Sequence, residues 1–261
     1  MRILKKLFLI MLGFYTLFCL LLFFAQESLL FHPFPLPETH VFSQGEEVFI
    51  EVEPEVKLNG IWLRAKNPKG VILYFHGNTG NLPRCIYQAQ QSMTGRGYDV
   101  FVIDYRGYGK SDGELRNQQQ FYADALKVYD YIGQSYSEDR IVVLGYSLGA
   151  AAATYVAAER QPQQLILYAP FRSIVKKMYE LHLYVPGFFL KYRLDNEKHI
   201  ARVQAPISIL HGTDDTLLPA SHGKHLASLN ERATFYPLSG TTHRSIVFDD
   251  RVDRILEELL P

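Results

Sequence analysis

Cysteine is scarce in this chain of 261 residues: there are two, Cys19 and Cys85. Cys19 falls inside a long apolar run, so only Cys85 belongs to the part that folds in water, and a disulfide within that part is excluded. An excess of charge is missing too, since 27 Lys and Arg balance 27 Asp and Glu. No dense basic run occurs, which removes the field that a nucleic-acid partner requires. Asn-x-Ser/Thr acceptors are lacking throughout, as fits a bacterial envelope protein. There is no internal repeat and no low-complexity segment. A chain of this length with 48% apolar residues suits one core rather than two small ones.

Long hydrophobic runs are represented once. Leu7 to Ala25 is uncharged and apolar, enough to cross a hydrocarbon layer of about 30 Å as a helix. Arg2, Lys5 and Lys6 precede the run, whereas the next basic residue after it is Lys57. That asymmetry puts the amino terminus in the cytoplasm and the rest on the extracytoplasmic side, as for a single-pass protein of a bacterial inner membrane. A cleaved signal peptide is the competing reading; against it, Phe23-Phe24-Ala25 lacks the small residue wanted two positions before cleavage. Residues 1–25 are thus expected to be a transmembrane anchor and 26–45, with Pro33, Pro35 and Pro37, an extended linker in which proline forbids helix. Residues 46–261 form the folded domain.

Within that domain Val48–Val52 and Leu58–Ala65 read as an antiparallel opening hairpin around Glu53-Pro54. Short apolar runs then alternate with helical stretches. The strand candidates are Val71–Phe75, Tyr98–Ile103, Ile141–Leu144, Leu165–Tyr168, Ile207–Leu210 and Thr234–Tyr236. Continuous hydrophobicity suits strands covered on both faces, the condition of a parallel sheet. Helices are expected over Leu82–Thr94, Asn117–Gly133, Leu148–Glu159, Ser173–Leu181, Ser221–Leu229 and Ser245–Leu260, the last with Phe248, Val252, Ile255 and Leu259 on one face. The pattern predicts an α/β fold: a mostly parallel central sheet with helices on both faces.

The chain is organised around Ile141-Val-Val-Leu-Gly-Tyr-Ser-Leu-Gly-Ala. Gly145, Ser147 and Gly149 make G-x-S-x-G, with a strand before and a helix after, as the strained turn of a nucleophile elbow requires. A serine hydroxyl needs an imidazole to take its proton and a carboxylate to orient that imidazole. Ile207-Ser-Ile-Leu-His-Gly-Thr-Asp-Asp presents Asp214 and Asp215 past a strand end, and Leu238-Ser-Gly-Thr-Thr-His presents His243 in a later loop. The amide of Leu148, next after the serine, is placed to meet a developing oxyanion.

With Tyr74-Phe-His-Gly-Asn-Thr-Gly, Asp104-Tyr-Arg-Gly-Tyr-Gly-Lys-Ser, His211-Gly-Thr-Asp-Asp and the His243 loop in order around the elbow, the chain resembles the α/β-hydrolase family from roughly Val48 to the end. The resemblance implies Ser147 as nucleophile, His243 as base, Asp215 rather than Asp214 as the acid, and Asn78 as the second oxyanion amide beside Leu148. It implies no cofactor and no metal. His76 and His211, in strand-end His-Gly pairs, are expected to hold loops rather than ligate, and His222 and His225 to lie on a solvated helix face. Asp104–Ser111 reads as a rigid loop beside the cleft, not a phosphate cradle.

The stretch 170–205 stands where the family inserts its cap, too short here for a separate lid. Its aromatics are open to three fates: lining an acyl pocket, packing on the core, or touching the membrane. The layout is similar to hydrolases that remove fatty acyl groups from protein cysteines, which implies an acyl-ester or thioester substrate delivered from the membrane. A serine peptidase shares the nucleophile, base and hole, and a non-catalytic binding protein shares the fold, so both stand as alternatives.

Overall fold

The computed structural model describes residues 1–86 and 93–260. Helix α1 (Arg2–Leu30) is long and apolar enough to cross a membrane, with a mean hydropathy of 2.6 in its most apolar stretch. It runs five residues beyond Ala25 into the expected linker, a correction with a local cause: the first proline is Pro33, and proline restricts only the residue before it and its own position. Phe31 is accordingly already extended, with φ −116 and ψ 125. The remainder of the linker is laid on the domain. His32-Pro33 pairs in parallel with Thr79-Gly80, and Pro35 bridges to Gly109. Phe31 is buried against Phe121 and Tyr192, while Leu29 and Phe34 stay exposed.

Eight strands form one sheet: β1 (Glu46–Glu53), β2 (Val56–Leu63), β3 (Gly70–Phe75), β4 (Tyr98–Ile103), β5 (Ile141–Tyr146), β6 (Gln164–Tyr168), β7 (Ile207–Gly212) and β8 (Ala233–Leu238). Their order is β8-β7-β6-β5-β3-β4-β2-β1, with β2 the one strand reversed against its neighbours. The central strands are buried along their length, apart from Tyr146 at the end of β5, because both faces are covered. Val71, Leu73 and Phe75 of β3 face one layer, which holds helices α2 (Gln118–Ile132) and α3 (Gly149–Glu159). Ile72 and Tyr74 face the other, which holds Leu82 and Cys85 with the last helix of the chain. The period of two thus sorts neighbouring side chains into two cores.

Of the helix expected over Leu82–Thr94, residues 82–86 are helical and 87–92 lie outside the described residues. After β6 the chain makes its excursion: helix α4 (Ile174–Glu180), a turn through Pro186-Gly187, and helix α5 (Asn196–Ile200) before β7. Helix α6 (Ser221–Ala227) follows β7, and α7 (Asp250–Leu259) closes the chain. The final helix is shorter than expected, because the Asp249 side chain accepts from the Arg251 amide and caps it there. Ser245–Phe248 is a separate 3-10 turn. The buried stripe is consequently Val252, Leu256 and Leu260, spaced by four, and Phe248 is exposed.

The aromatics of the excursion divide: Phe171 and Tyr192 join the main core, while the stretch 183–190 packs on α1. Val185 and Leu190 are buried with Cys19 of α1, flanked by Leu22, Val175, Met178, Leu183 and Phe189. Gln26 clamps the join: its Nε2 donates to Phe189 O at 2.8 Å, and its Oε1 accepts from the Lys191 amide at 2.8 Å. Eleven residues earlier on the helix, the Tyr15 hydroxyl donates to Tyr184 O.

Candidate active site

Ser147 sits at the end of β5 with φ 53, in the left-handed region that an L-residue adopts only when the surroundings impose it. The flanking glycines show what imposes it. A Cβ on Gly149 would lie 2.0 Å from Phe75 O, and one on Gly145 would lie 2.6 Å from Gly149 O. The turn is pressed against the end of β3, which points the serine side chain up from the sheet into the cleft.

His243 lies in the loop after β8. Its Nε2 is 2.9 Å from Ser147 Oγ, and its Nδ1 is 2.7 Å from Asp215 Oδ2. The loop is held by its neighbours: Tyr146 donates its hydroxyl proton to His243 O at 2.9 Å, and the Asp214 amide donates to Thr241 O at 3.0 Å. A Cβ on Gly212 would meet Thr241 O at 2.1 Å, so the β7 turn and the histidine loop approach as closely as backbones allow.

The other oxygen of Asp215 accepts from the amides of Leu217 and Leu218 at 2.9 and 2.7 Å. Burial alone would raise this carboxyl, yet the hydrogen bonds from His211, His243 and the Leu218 amide outweigh it and hold it well below the ordinary Asp range. Asp214 is exposed and accepts from the Thr213 hydroxyl, so of the two acids Asp215 reaches the imidazole. A pH dependence follows. Because the folded state favours the carboxylate, Asp215 contributes its full stability above about pH 4, its ordinary value, and loses it as the pH falls further. The gap in urea midpoint between the wild type and Asp215→Asn should stay level from about pH 7 to about pH 5 and shrink below about pH 4.

Asn78 follows the end of β3. Its carbonyl accepts from the His32 amide and the Tyr108 hydroxyl at 2.9 and 2.7 Å, so linker and loop together fix this peptide. The amides of Asn78 and Leu148 donate to no acceptor among the described hydrogen bonds. A cleft of about 330 Å³ opens over Ser147 and His243, lined by Asn78, Tyr146 and Leu217 among others.

Neither His-Gly histidine gathers a ligand set. His76 Nδ1 donates to Gly77 O at 2.7 Å and its Nε2 lies 3.0 Å from Asp104; His211 Nε2 donates to Leu218 O at 2.7 Å. No group of three His, Cys, Asp or Glu able to hold a metal occurs among the described residues. His222 corrects the expectation of a solvated face. It is buried, accepts from the Arg172 amide and pairs with Glu180 at 2.9 Å, because this side of α6 lies under the excursion. His225 is the outward one, 3.0 Å from Glu197.

Sequence reasoning missed Tyr146, Arg84 and Arg244 in the cleft wall, and Gln26. Tyr146 is the first x of G-x-S-x-G, which the motif leaves free. The arginines stand in no motif, and Gln26 was hidden by the assumption that helix ends with hydrophobicity.

Known proteins similar to this chain place it further. Residues 66–194 match the family described as serine aminopeptidase, S33. The lysophosphatidylserine lipase ABHD12 of Danio rerio is 31% identical over 73% of this chain, which spans 58% of that lipase's length. The uncharacterized protein MT2364 of Mycobacterium tuberculosis is 30% identical over 84% of this chain and 80% of its own. The Pyrococcus furiosus esterase Pf2001 superposes with a TM-score of 0.70, covering 88% of this chain and 98% of its own at 20% identity. The chain belongs to the α/β-hydrolase family. The Danio rerio and Pyrococcus furiosus proteins carry lipase and esterase names, a different emphasis from the protein thioesterases that the layout suggested.

Proposed function

We propose that the protein is a membrane-anchored serine hydrolase of acyl esters, acting through Ser147, His243 and Asp215. What carries the reading is the unbroken hydrogen-bond path from Asp215 through His243 to Ser147, with two unengaged amides beside it. In acylation His243 Nε2 takes the Ser147 proton as Oγ bonds to the carbonyl carbon, and the amides of Asn78 and Leu148 receive the oxyanion. The carbon–alkoxide bond then breaks, and the alkoxide leaves with that proton from Nε2. Water attacks the acyl-enzyme by the same route: Nε2 accepts its proton and returns it to Oγ as the acid departs. Asp215 stays ionised and orients the imidazole, a role suited to its depressed pKa. Labelling by a fluorophosphonate probe that vanishes in Ser147→Ala tests the assignment. Transfer from the Danio rerio lipase suggests a lysophospholipid ester as substrate, and thioesters share the same acyl chemistry. A peptidase is the second reading, favoured by the description of the family matched over residues 66–194; turnover of short peptide anilides above ester turnover would select it.

The anchor reading rests on α1, uncleaved, with its basic end in the cytoplasm. From Gln26 back to Tyr15 the helix advances about 16 Å, reaching roughly the middle of the apolar run. Since the excursion touches the helix at both levels, it enters the outer leaflet beside it, carrying the exposed Leu181, Tyr184 and Phe188 into lipid. Lys177 Nζ donates to Leu217 O at 2.6 Å, tying α4 to the lip of the cleft. A lipid ester can therefore pass from bilayer to Ser147 with little exposure to water. In Phe188→Trp protein reconstituted in vesicles, the added emission should be quenched by lipids brominated on the acyl chain. Quenching by aqueous iodide instead would remove the excursion from the membrane.

A further inference from the structure

The cleft over Ser147 has a charge pattern that hydrolysis of a neutral ester does not require. Two guanidinium side chains line it, Arg84 and Arg244, and no Asp or Glu does. Both are exposed, and neither has a carboxylate within ion-pair distance among the described residues. Elsewhere on the domain Arg64, Arg106, Arg160, Arg172, Arg202 and Arg251 are paired with acids, and Arg116, Arg140, Arg193 and Arg254, which also lack an acid partner among the described residues, do not line the cleft. In a chain of zero net charge, two unpaired arginines in one cleft are a local excess of positive charge.

Both line the cleft that opens over Ser147 and His243. Arg84 belongs to the helical residues 82–86, and Arg244 follows His243 directly. Both act on one shared group. The Tyr146 phenol is pushed up to about 12, first by burial and then by Asp215, while Arg84 and Arg244 each pull it down. An anion held by them would lie in the same cleft as Ser147 and His243. Guanidinium groups recognise tetrahedral oxyanions through paired N–H donors, and do so best where low-dielectric walls limit screening.

We propose that Arg84 and Arg244 form a subsite for the phosphate of an acylglycerol phosphate or phosphodiester, so that the enzyme selects anionic lysophospholipids over neutral monoacylglycerols. This rests on the hydrolase reading above and adds the head-group class to it. The full chain in detergent micelles is assayed on a lysophosphatidylserine and on a monoacylglycerol of the same acyl chain. The ratio of their kcat/KM values should favour the anionic ester. It should fall about tenfold for Arg84→Gln or Arg244→Gln, and further in the double variant, as expected for loss of a charge-assisted hydrogen bond. Arg84→Lys and Arg244→Lys should restore part of the ratio, and Arg116→Gln, remote from the cleft, should leave it unchanged. Inorganic phosphate separates the two sources of the anion. A head-group site shows the substrate preference, whereas a site for free phosphate shows equal inhibition of both esters with no preference, which would overturn the assignment. Ser147→Ala assayed on both esters keeps the two failures apart. If its turnover persists, the hydrolase reading falls; if turnover is lost there while the arginine variants keep the wild-type ratio, the subsite alone is overturned.

Discussion

Replacing Ser147 by alanine is expected to cut ester turnover about a million-fold while leaving KM and the unfolding midpoint nearly unchanged. The size follows from what the hydroxyl does. On the proposed mechanism no acyl-enzyme forms without it, and the acceleration left would come only from substrate binding and the amides of Asn78 and Leu148, which survive the substitution. The stability forecast follows from the site: among the described residues Ser147 Oγ has one partner, His243 Nε2 at 2.9 Å, and that nitrogen borders an open cleft where water can replace the hydroxyl. His243→Ala should lose a comparable factor, and the double variant should be no worse than either single one, because the pair acts as a unit. Asp215→Asn should cost about ten-thousand-fold, since an amide that donates to Nδ1 selects the wrong imidazole tautomer. Steady-state kinetics on a p-nitrophenyl ester measure all four. Retention of more than about one part in a hundred of wild-type turnover by Ser147→Ala would remove the residue from the chemistry.

The parts of this molecule that could be read from its sequence are those where one local rule decides. Strand candidates such as Val71–Phe75 match the sheet because an uninterrupted apolar run has few other places to go, while Gly149 is forced by the closeness of Phe75 O and Gly145 by that of Gly149 O. Where two rules compete, the outcome needs three dimensions. Ser245 to Leu260 has helical periodicity throughout, yet the Asp249 cap divides it. Arg251 Nε holds the Asp249 Oδ1 at 2.9 Å, an interaction invisible to a hydrophobic pattern. His222 and His225 are three apart on one short helix, and only packing beneath the excursion decides that the first is buried. The approach of His243 to Ser147 was an inference from family order, whereas its distance depends on contacts such as Gly212 against Thr241 that no spacing encodes. Arg84 carried no signal at all, because its meaning lies in the absence of a nearby acid.

Anchor and linker have a consequence for the site that neither shows alone. The linker pairs at His32 with the loop carrying Asn78, and α1 holds the excursion through Gln26, so one short segment ties the anchor both to the cleft wall and to the excursion. A chain truncated before residue 46 would lose the His32 amide that fixes the Asn78 carbonyl, and with it part of the preorganisation on which an oxyanion site depends.

Gly149→Ala is expected to have the second-largest effect, on stability and turnover together. Its added methyl carbon would stand 2.0 Å from Phe75 O, 2.5 Å from Phe75 C and 2.6 Å from His76 O, all backbone atoms of the strand end on which the elbow rests. A flexible side chain could swing aside; a strand buried on both faces cannot. Helix α3 must therefore lift from β3 by something near an ångström, at an overpacking cost of about 3 kcal/mol. The lift moves the Leu148 amide away from the Asn78 amide, and a misplacement of about 1 Å at reacting groups costs roughly a hundredfold in rate. Helix propensity works the other way, since alanine within a helix is favoured over glycine by about 1 kcal/mol. The contact wins because it involves rigid backbone on both sides. Gly95→Ala is the control, as a methyl there meets none of the described residues within 4 Å. Urea midpoints and p-nitrophenyl ester kinetics for the two variants decide the matter: equal behaviour would show that the elbow is not seated on the end of β3.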